Sequence, residues 1–299
     1  MEKLGIDLGN SSMKIVGGDR ENLIFKRIRS LATTESEDTN HVVTFNGETV
    51  CFGVGETLVE HDKTERKYLE HSILLAVYEI YGPGEHEIDL GMSLPISFYK
   101  HKKDSFKQKI ESFKNLKGYV NGRSVSVNLE KVIIQAEGLA AFYALMPEIP
   151  KGPILFIDLG HRTTDIIAAN VDTETGKWKL EGDLPIQKGG YELINKLQEA
   201  LIPKTNEFFS VQQIEQFIAS GGRIGTLQID TLYQEALQET INGMCKQIHQ
   251  KFNDMLYREI YICGGAAPMF AACYHGDNLT VIKEDKMIYS NAVGSYLKL

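Results

Sequence analysis

Apolar and polar residues alternate from the first few positions of the chain, and the rhythm changes several times. Lys3 to Asp7, Met13 to Val16 and Leu23 to Ile28 read as three strands joined by polar turns, the second turn being Gly17-Gly18-Asp19. Ser30 to Asn40 is polar and acidic and reads as a surface loop. Two short strands follow at Val42–Phe45 and Val50–Phe52, hinged at Asn46-Gly47. From Lys67 to Tyr81 the period becomes helical: Leu69, Ile73, Leu74, Val77, Ile80 and Tyr81 share a face, and Gly82-Pro83-Gly84 ends the helix. A strand at Glu87–Leu94 precedes a helix at Lys102–Phe113. Strands return near Tyr119–Val127, with a turn at Asn121-Gly122. The apolar run Val132-Ile133-Ile134 then leads through Gln135-Ala136-Glu137-Gly138 into a helix ending at Leu145.

Pro147, Pro150, Gly152 and Pro153 mark the sharpest break, and the pattern restarts beyond it. Ile154–Asp158, Thr164–Val171 and Trp178–Leu184 are strands, and Gly189-Gly190 opens a helix through Leu201. A polar segment gives way to a long helix from about Asp230 to Leu256. Glu259–Cys263 is a strand, Ala266–Tyr274 a short helix, and the last helix lies near Ser290–Leu297. Three strands and a helix at the start of both halves predict a mixed α/β protein with two related domains.

Composition narrows this picture. The 299 residues are 42% hydrophobic and 24% charged, as in globular proteins. A net charge of −8 argues against broad direct nucleic-acid binding, which needs clustered Lys and Arg. Cys51, Cys245, Cys263 and Cys273 form no C-x-x-C pair and read as reduced thiols of a cytoplasmic protein. Met1 to Leu4 run at once into the first motif, leaving no room for a signal peptide. The longest uncharged stretch, Ile260–Tyr274, is too short to span a bilayer, so no membrane association is expected.

The candidate chemistry lies in a repeated tetrapeptide. Ile6-Asp7-Leu8-Gly9 recurs as Ile157-Asp158-Leu159-Gly160, each ending an apolar run. After the first come Asn10, Ser11, Ser12 and Lys14; after the second come His161, Arg162, Thr163, Thr164 and Asp165. A strand ending in an acid, followed by glycine and hydroxyls, offers backbone N–H groups to an anion. Lys14 adds a point charge for phosphate, and Asp7 suits a hydrated magnesium. Asp158 repeats that acid, and Asp165 adds a third on the return strand. One such turn is equally an ordinary hairpin. Two, at the starts of both halves, point to a divided phosphate site. His161 either donates to phosphate, positions water or simply faces solvent, and Arg162 either adds a phosphate contact or faces solvent.

Two further segments are weaker alone. Ile260 to Ala267 places Gly264-Gly265 between a strand and a helix start, where a base or ribose packs flat on backbone. Glu137, at a helix start, either orients water or complements the helix dipole. The P-loop pattern G-x-x-x-x-G-K-[ST], the dinucleotide fingerprint and the G-x-S-x-G elbow are all missing.

Taken together these segments resemble the actin-like ATPase superfamily, of ribonuclease H-like fold, which also holds heat-shock chaperone ATPases and sugar kinases. Gly5–Lys14 and Ile154–Asp165 are similar to its two phosphate loops, Gln135–Ala141 and Asn291-Ala292-Val293-Gly294 to its connecting helices, and Ile260–Ala267 to its adenosine segment. Size and the Asp-Leu-Gly wording are most similar to the ParM/StbA plasmid-segregation actins and related phage actins.

The resemblance implies an actin-like domain I at 1–150 plus 286–299, with a small subdomain at about 30–88. It implies a domain II at 151–285, with a small subdomain reduced to about 203–230. It implies ATP, with GTP left open, and Mg2+. Asp7, Asp158 and Asp165 would face the metal, and Glu137 the attacking water. Gly9, Asn10, Ser11, Ser12, Lys14, Gly160, His161, Arg162, Thr163 and Thr164 would line the phosphates. Gly189, Gly190, Glu192 and Lys196 would border the ribose, and Gly264, Gly265 and Ala266 the base. Function would be ATP hydrolysis coupled to homopolymer filaments that segregate plasmid or phage DNA through a DNA-binding adaptor of ParR type. A small-molecule (sugar-type) kinase on the same fold is the alternative. A chaperone is disfavoured because no peptide-binding domain follows Leu299, and an MreB-type membrane actin because no amphipathic N-terminal anchor is present.

Overall fold

The computed structural model describes residues 1–35, 40–58, 62–145, 152–172, 174–175, 177–219, 223–224, 227–253, 257, 259–274, 277–282 and 287–299. The chain divides into two compact units, one of Met1–Ile149 with Lys283–Leu299 and one of Pro150–Ile282.

The first unit is built on a ten-stranded sheet in the order β3-β2-β1-β8-β10-β9-β5-β6-β4-β7. Its strands are β1 (Glu2–Leu8), β2 (Ser12–Gly18), β3 (Leu23–Arg29), β4 (Leu31–Thr33), β5 (Val42–Phe45), β6 (Glu48–Phe52), β7 (Glu56–Thr57), β8 (Gly84–Leu94), β9 (Asn115–Val120) and β10 (Arg123–Ala136). β8 runs parallel to both β1 and β10, and β1 and β8 are buried over their apolar stretches, as parallel strands covered on both faces require. The hairpins at Asn46-Gly47 and Asn121-Gly122 have positive φ at both residues, which Asn and Gly tolerate best.

Helix α1 (Leu69–Tyr81) lays Leu69, Ile73, Leu74 and Val77 into the core and ends at Gly82 with φ 85°. α2 (Ile96–Ser112) begins directly after Pro95, six residues before the apolar period suggests. Its first turn holds Ile96, Phe98 and Tyr99, but the polar run at 100–105 that follows interrupts the apolar period; the Pro95 carbonyl accepts from Phe98 and Tyr99 N–H. The separate strands expected at Tyr119–Val127 and Val132–Ile134 are β9 and one long β10 whose irregularity lies at Leu129/Lys131. The acidic stretch read as loop opens with β4, and Ser36–Thr39 lie outside the described residues.

Glycines set the closest approaches of helix to sheet. α3 (Leu139–Leu145) and α8 (Ser290–Leu297) pack on each other, and a Cβ at Gly294 would lie 1.8 Å from the Ala140 carbonyl oxygen. Cβ atoms at Gly5 and Gly91 would lie 2.2 Å from the Ala292 oxygen and 2.4 Å from the Ser295 oxygen. α8 is therefore pressed against β1, β8 and α3 with no side chain between.

The second unit holds a five-stranded sheet in the order β13-β12-β11-β16-β17. Its strands are β11 (Gly152–Leu159), β12 (Thr164–Val171), β13 (Trp178–Ile186), β16 (Glu259–Cys263) and β17 (Leu279–Val281). β17 is a strand the apolar pattern did not predict; it is only three residues long and partly or fully exposed. The helices are α4 (Gly190–Thr205), α5 (Val211–Ala219), α6 (Asp230–Lys251) and α7 (Ala267–Ala271). α6 buries Ala236, Leu237, Thr240, Ile241, Met244 and Ile248 along one stripe. Between α4 and α6 the chain makes α5 and a two-stranded ladder of β14 (Arg223–Ile224) and β15 (Leu227–Gln228), where only a polar segment was expected. Leu256 and the proline-rich break at 146–151 lie outside the described residues. Among the described residues no helix is long and apolar enough to cross a membrane. None of the four cysteines, all of them among the described residues, is in a disulfide; three are buried and Cys245 is half-buried.

Gly294→Ala places a methyl inside the van der Waals radius of Ala140 oxygen. We expect a loss of about 1–3 kcal/mol, the cost of overpacking, in urea denaturation of the purified protein; an unchanged midpoint would refute the close-packed account of α8.

Candidate functional site

In the first unit the β1–β2 hairpin sets the geometry. Asp7 and Lys14 are directly paired across it, and Lys14 Nζ lies 3.0 Å from Asp7 Oδ2. The other carboxylate oxygen, Oδ1, accepts from Lys63 Nζ at 3.1 Å. Lys63 also pairs with Glu137, on the turn that follows β10. Lys63 is 4% exposed, Asp7 4% and Glu137 6%, so the four-member charge cluster sits largely out of water. Burial pushes the Asp7 pKa up, but Lys14 and Lys63 outweigh it and hold the carboxyl well below the usual range. Burial pushes Lys63 down, but Asp7 and Glu137 outweigh it and hold the ammonium above its usual range.

Lys63 belongs to a short strap. Lys63–Glu65 form one 3₁₀ turn capped by Asp62, whose side chain accepts from Thr64 N–H. Asp62 pairs with Lys102, and Lys109 Nζ donates to the Thr64 carbonyl at 2.7 Å, both from α2. Arg66, at the strap's end, is 4% exposed. Its Nη1 donates to the Leu8 carbonyl at 3.1 Å and its Nη2 to the Gly9 carbonyl at 3.3 Å. Ser30 Oγ donates to the same Gly9 carbonyl at 2.5 Å. Arg27 Nε donates to Ser12 Oγ at 3.0 Å, and Ser11 is exposed at the tip. Asn10 Oδ1 is buried with no hydrogen-bond partner among the described residues. Glu137 N–H donates to the Leu94 carbonyl at 2.7 Å, and Gly138, with φ 69°, passes the chain into α3. Gly138 N–H donates to Asn291 Oδ1 at 3.1 Å, so both segments resembling connecting helices meet beside Glu137.

In the second unit the β11–β12 hairpin pairs Asp158 with Asp165 and Leu159 with Thr164. Residues directly opposite in a ladder point to one face, so the two carboxylates, 7% and 2% exposed, share it. Gly160 N–H closes the turn on the Thr163 carbonyl at 2.9 Å. The turn is then wrapped by its neighbours. Gly190 N–H donates to the Gly160 carbonyl at 3.0 Å and Tyr191 N–H to the His161 carbonyl at 2.7 Å. Thr164 Oγ1 donates to the Lys188 carbonyl at 2.7 Å. A Cβ at Gly189 would lie 2.5 Å from Gly160 oxygen, and one at Gly264 would lie 2.4 Å from Leu159 oxygen and 2.6 Å from Asp158 Oδ1. Ala266 N–H donates to the Leu159 carbonyl at 3.1 Å, while a Cβ at Gly265 would meet open space. Arg162 lies over the Tyr191 ring at 4.7 Å, with His161 beside the same ring. Glu192 pairs with Lys188 at 2.9 Å, and Lys196 pairs with Glu239 of α6.

The predicted residues therefore gather in two places. Asp7, Gly9, Asn10, Ser11, Ser12, Lys14 and Glu137 surround one hairpin turn; Asp158, Gly160, His161, Arg162, Thr163, Thr164, Asp165, Gly189, Gly190, Gly264 and Ala266 surround the other. Lys63, Arg66 and Ser30 were not predicted. They lie in stretches that read as charged or polar surface, and only their partners show them to be interior.

A hydrated divalent cation suits the Asp158–Asp165 face, which brings two carboxylates together. It suits Asp7 poorly, because both of that carboxylate's oxygens already take ammonium groups. Among the described residues no three of His, Cys, Asp and Glu gather as a metal-binding group.

Residues 5–139 match the family model for the N-terminal domain of actin-like proteins. Solved structures agree with the fold across the whole chain. An archaeal actin homolog, Ta0583, matches with a TM-score of 0.81 at 18% identity, covering 100% of this chain and 99% of its own. A non-polymerisable quadruple mutant of pCBH ParM matches at 0.83 and 16% identity, covering 99% and 98%. A 15-stranded ParM filament from Clostridium botulinum matches at 0.80 and 14% identity, covering 99% and 98%. Ta0583 has also been solved in complex with ADP. No curated protein matches the sequence.

Removing Lys63 takes its ammonium from Glu137 and leaves Asp7 paired with Lys14 alone. Lys63→Met should cost about 3–5 kcal/mol in urea denaturation at neutral pH. The pH dependence follows from the two shifts. Asp7 titrates below its ordinary 3.8, so its contribution is complete above that value and is lost as pH falls through the folded-state pKa. Lys63 titrates above its ordinary 10.5, so its contribution is complete below that value and is lost as pH rises through its folded-state pKa. Wild-type stability from this cluster should therefore be flat from pH 5 to 9 and fall in acid, and a Lys63→Met cost near zero at pH 7 would refute the assignment.

Proposed function

Because the chain carries the actin-like fold and an actin-like N-terminal domain, we propose that it is a nucleotide-dependent, filament-forming ATPase that segregates plasmid or phage DNA through a DNA-binding adaptor of ParR type. The observation that carries this reading is the pair of acid-bearing hairpins, one with Lys14 and one with Asp165 opposite the acid on the return strand. Each turn has its own matching chemistry: phosphate oxygens suit the turn holding Lys14, and a divalent cation suits the Asp158–Asp165 face. Two of the solved relatives are ParM proteins, one of them in a filament, which supports self-assembly here.

The magnesium, when bound, would offset the charge developing on the phosphates. The remaining work falls to the chain. Gly9 leaves its turn without a side chain, so the backbone there approaches an anion closely. Lys14 faces the phosphates while Asp7 pairs with it and holds its position. Glu137 holds the attacking water as acceptor, and Lys63 fixes the position of that carboxylate. The open space beside Gly265 leaves room for a base against the backbone.

Light scattering and negative-stain microscopy with MgATP test assembly. We expect a critical concentration in the micromolar range and filaments that depend on nucleotide; no assembly with ATP or GTP at any concentration sinks the filament reading. Phosphate release should proceed without an added acceptor, whereas a strict need for a small-molecule acceptor would favour the sugar-type kinase. Glu137→Ala should lower phosphate release about 100-fold or more while nucleotide still binds, in line with loss of a general base. Unchanged release in that variant would remove Glu137 from its role.

A further inference from the structure

The strap that carries Lys63 also grips the backbone of the first turn, and the grip has a direction. Arg66 donates through both terminal nitrogens to the carbonyls of Leu8 and Gly9. Ser30 adds its hydroxyl to the Gly9 carbonyl and its N–H to the Ser11 carbonyl at 3.0 Å. Three of four successive carbonyls in the turn thus point toward Arg66 and Ser30. In a planar trans peptide the carbonyl oxygen and the amide hydrogen lie on opposite edges. Fixing the carbonyls of Leu8, Gly9 and Ser11 to one side therefore turns the N–H groups of Gly9, Asn10 and Ser12 to the other.

A turn left to itself has no reason to hold its amide dipoles parallel. A guanidinium does so well, because its planar fork matches two oxygens at fixed spacing, and a lysine ammonium does not. Arg66 is buried and so acts on the turn from behind rather than as a ligand to anything in solvent.

We propose that Arg66 and Ser30 are positioning residues: they pre-orient the 9–12 turn into a row of amide donors for a phosphate chain, without touching it. The inference rests on the nucleotide reading above and deepens it, since it assigns recognition of the phosphates, not of the base, to a strap remote in sequence.

The test compares ligands that differ only in phosphate. Dissociation constants for ATP, ADP and adenosine are measured by calorimetry on the full chain, wild type first, with thermal melts of each ligand-free variant as a folding control. Arg66→Lys keeps the charge and loses the fork. It should weaken ATP and ADP about tenfold or more, which is the loss of an oriented donor, and leave adenosine unchanged. Ser30→Ala should shift ATP and ADP in the same direction by a smaller factor, and Ser30→Thr, which keeps the hydroxyl, should restore them. Wild-type affinity for ATP in both Arg66→Lys and Ser30→Ala overturns the proposal. So does an equal loss for ATP and adenosine, which marks general destabilisation. If the wild type binds none of the three ligands, the nucleotide reading itself has failed and this inference falls with it; if the wild type prefers ATP to adenosine and the variants keep that preference, only the positioning role has failed.

Discussion

The ammonium of Lys63 joins parts of the first unit that are far apart in sequence. It bridges Asp7 at the end of β1 and Glu137 at the end of β10, and it arrives on a strap fastened to α2. Taking such charges out of water costs several kcal/mol per ion unless each finds partners. Here each does: Asp7 has two cations, Lys63 two anions, and the strap's own backbone is capped by Asp62. The arrangement cannot form piecemeal. Without the strap, Asp7 and Glu137 are two buried carboxylates; without the sheet, Lys63 is a buried cation. The cluster therefore makes the conformation of the turn conditional on the whole unit being folded.

Steric closeness supplies what charge alone does not. Gly5, Gly91 and Gly294 let α8 rest on the sheet and on α3 at backbone distance. That packing brings Asn291 to the Gly138 N–H and so fixes the turn bearing Glu137. In the second unit Gly189 and Gly264 play the equivalent part around the turn at Gly160, letting two other segments wrap it with backbone hydrogen bonds. Small residues near both turns are thus accounted for by contacts that any side chain would break.

Much of this was legible in the sequence, for reasons that can be named. β11 is an apolar run that reaches Asp158 near its end, β12 carries the run Ile166–Ala169 just after Asp165, and α1 and α6 carry helical periods. Asn-Gly at 46–47 and 121–122 specifies its turns by backbone conformation alone. What could not be read were features set by partners. The start of α2 follows Pro95, not an apolar period. β17 is only three residues long, Leu279–Val281, too short for an alternation to declare itself. His61 to Lys67 spells a charged surface run, yet Lys63 and Arg66 within it are buried, because their partners lie 56 and 58 positions away. Lys14 was read toward phosphate on its charge; its position opposite Asp7 gives that charge a resident partner as well.

The repeated Ile-Asp-Leu-Gly consequently builds two chemically opposite sites from one backbone plan. Around the first turn Lys14, Arg27, Lys63 and Arg66 outnumber Asp7 and Glu137. Around the second, two carboxylates face the same side of the ladder, and Arg162 is drawn over the Tyr191 ring. A turn with excess positive charge favours an anion, and a turn with paired carboxylates favours a cation. Duplicating the hairpin alone would have given two equal turns. The difference comes from residue 14 against residue 165, lysine against aspartate at the same place on the return strand, and from a strap whose counterpart is not seen among the described residues of the second unit.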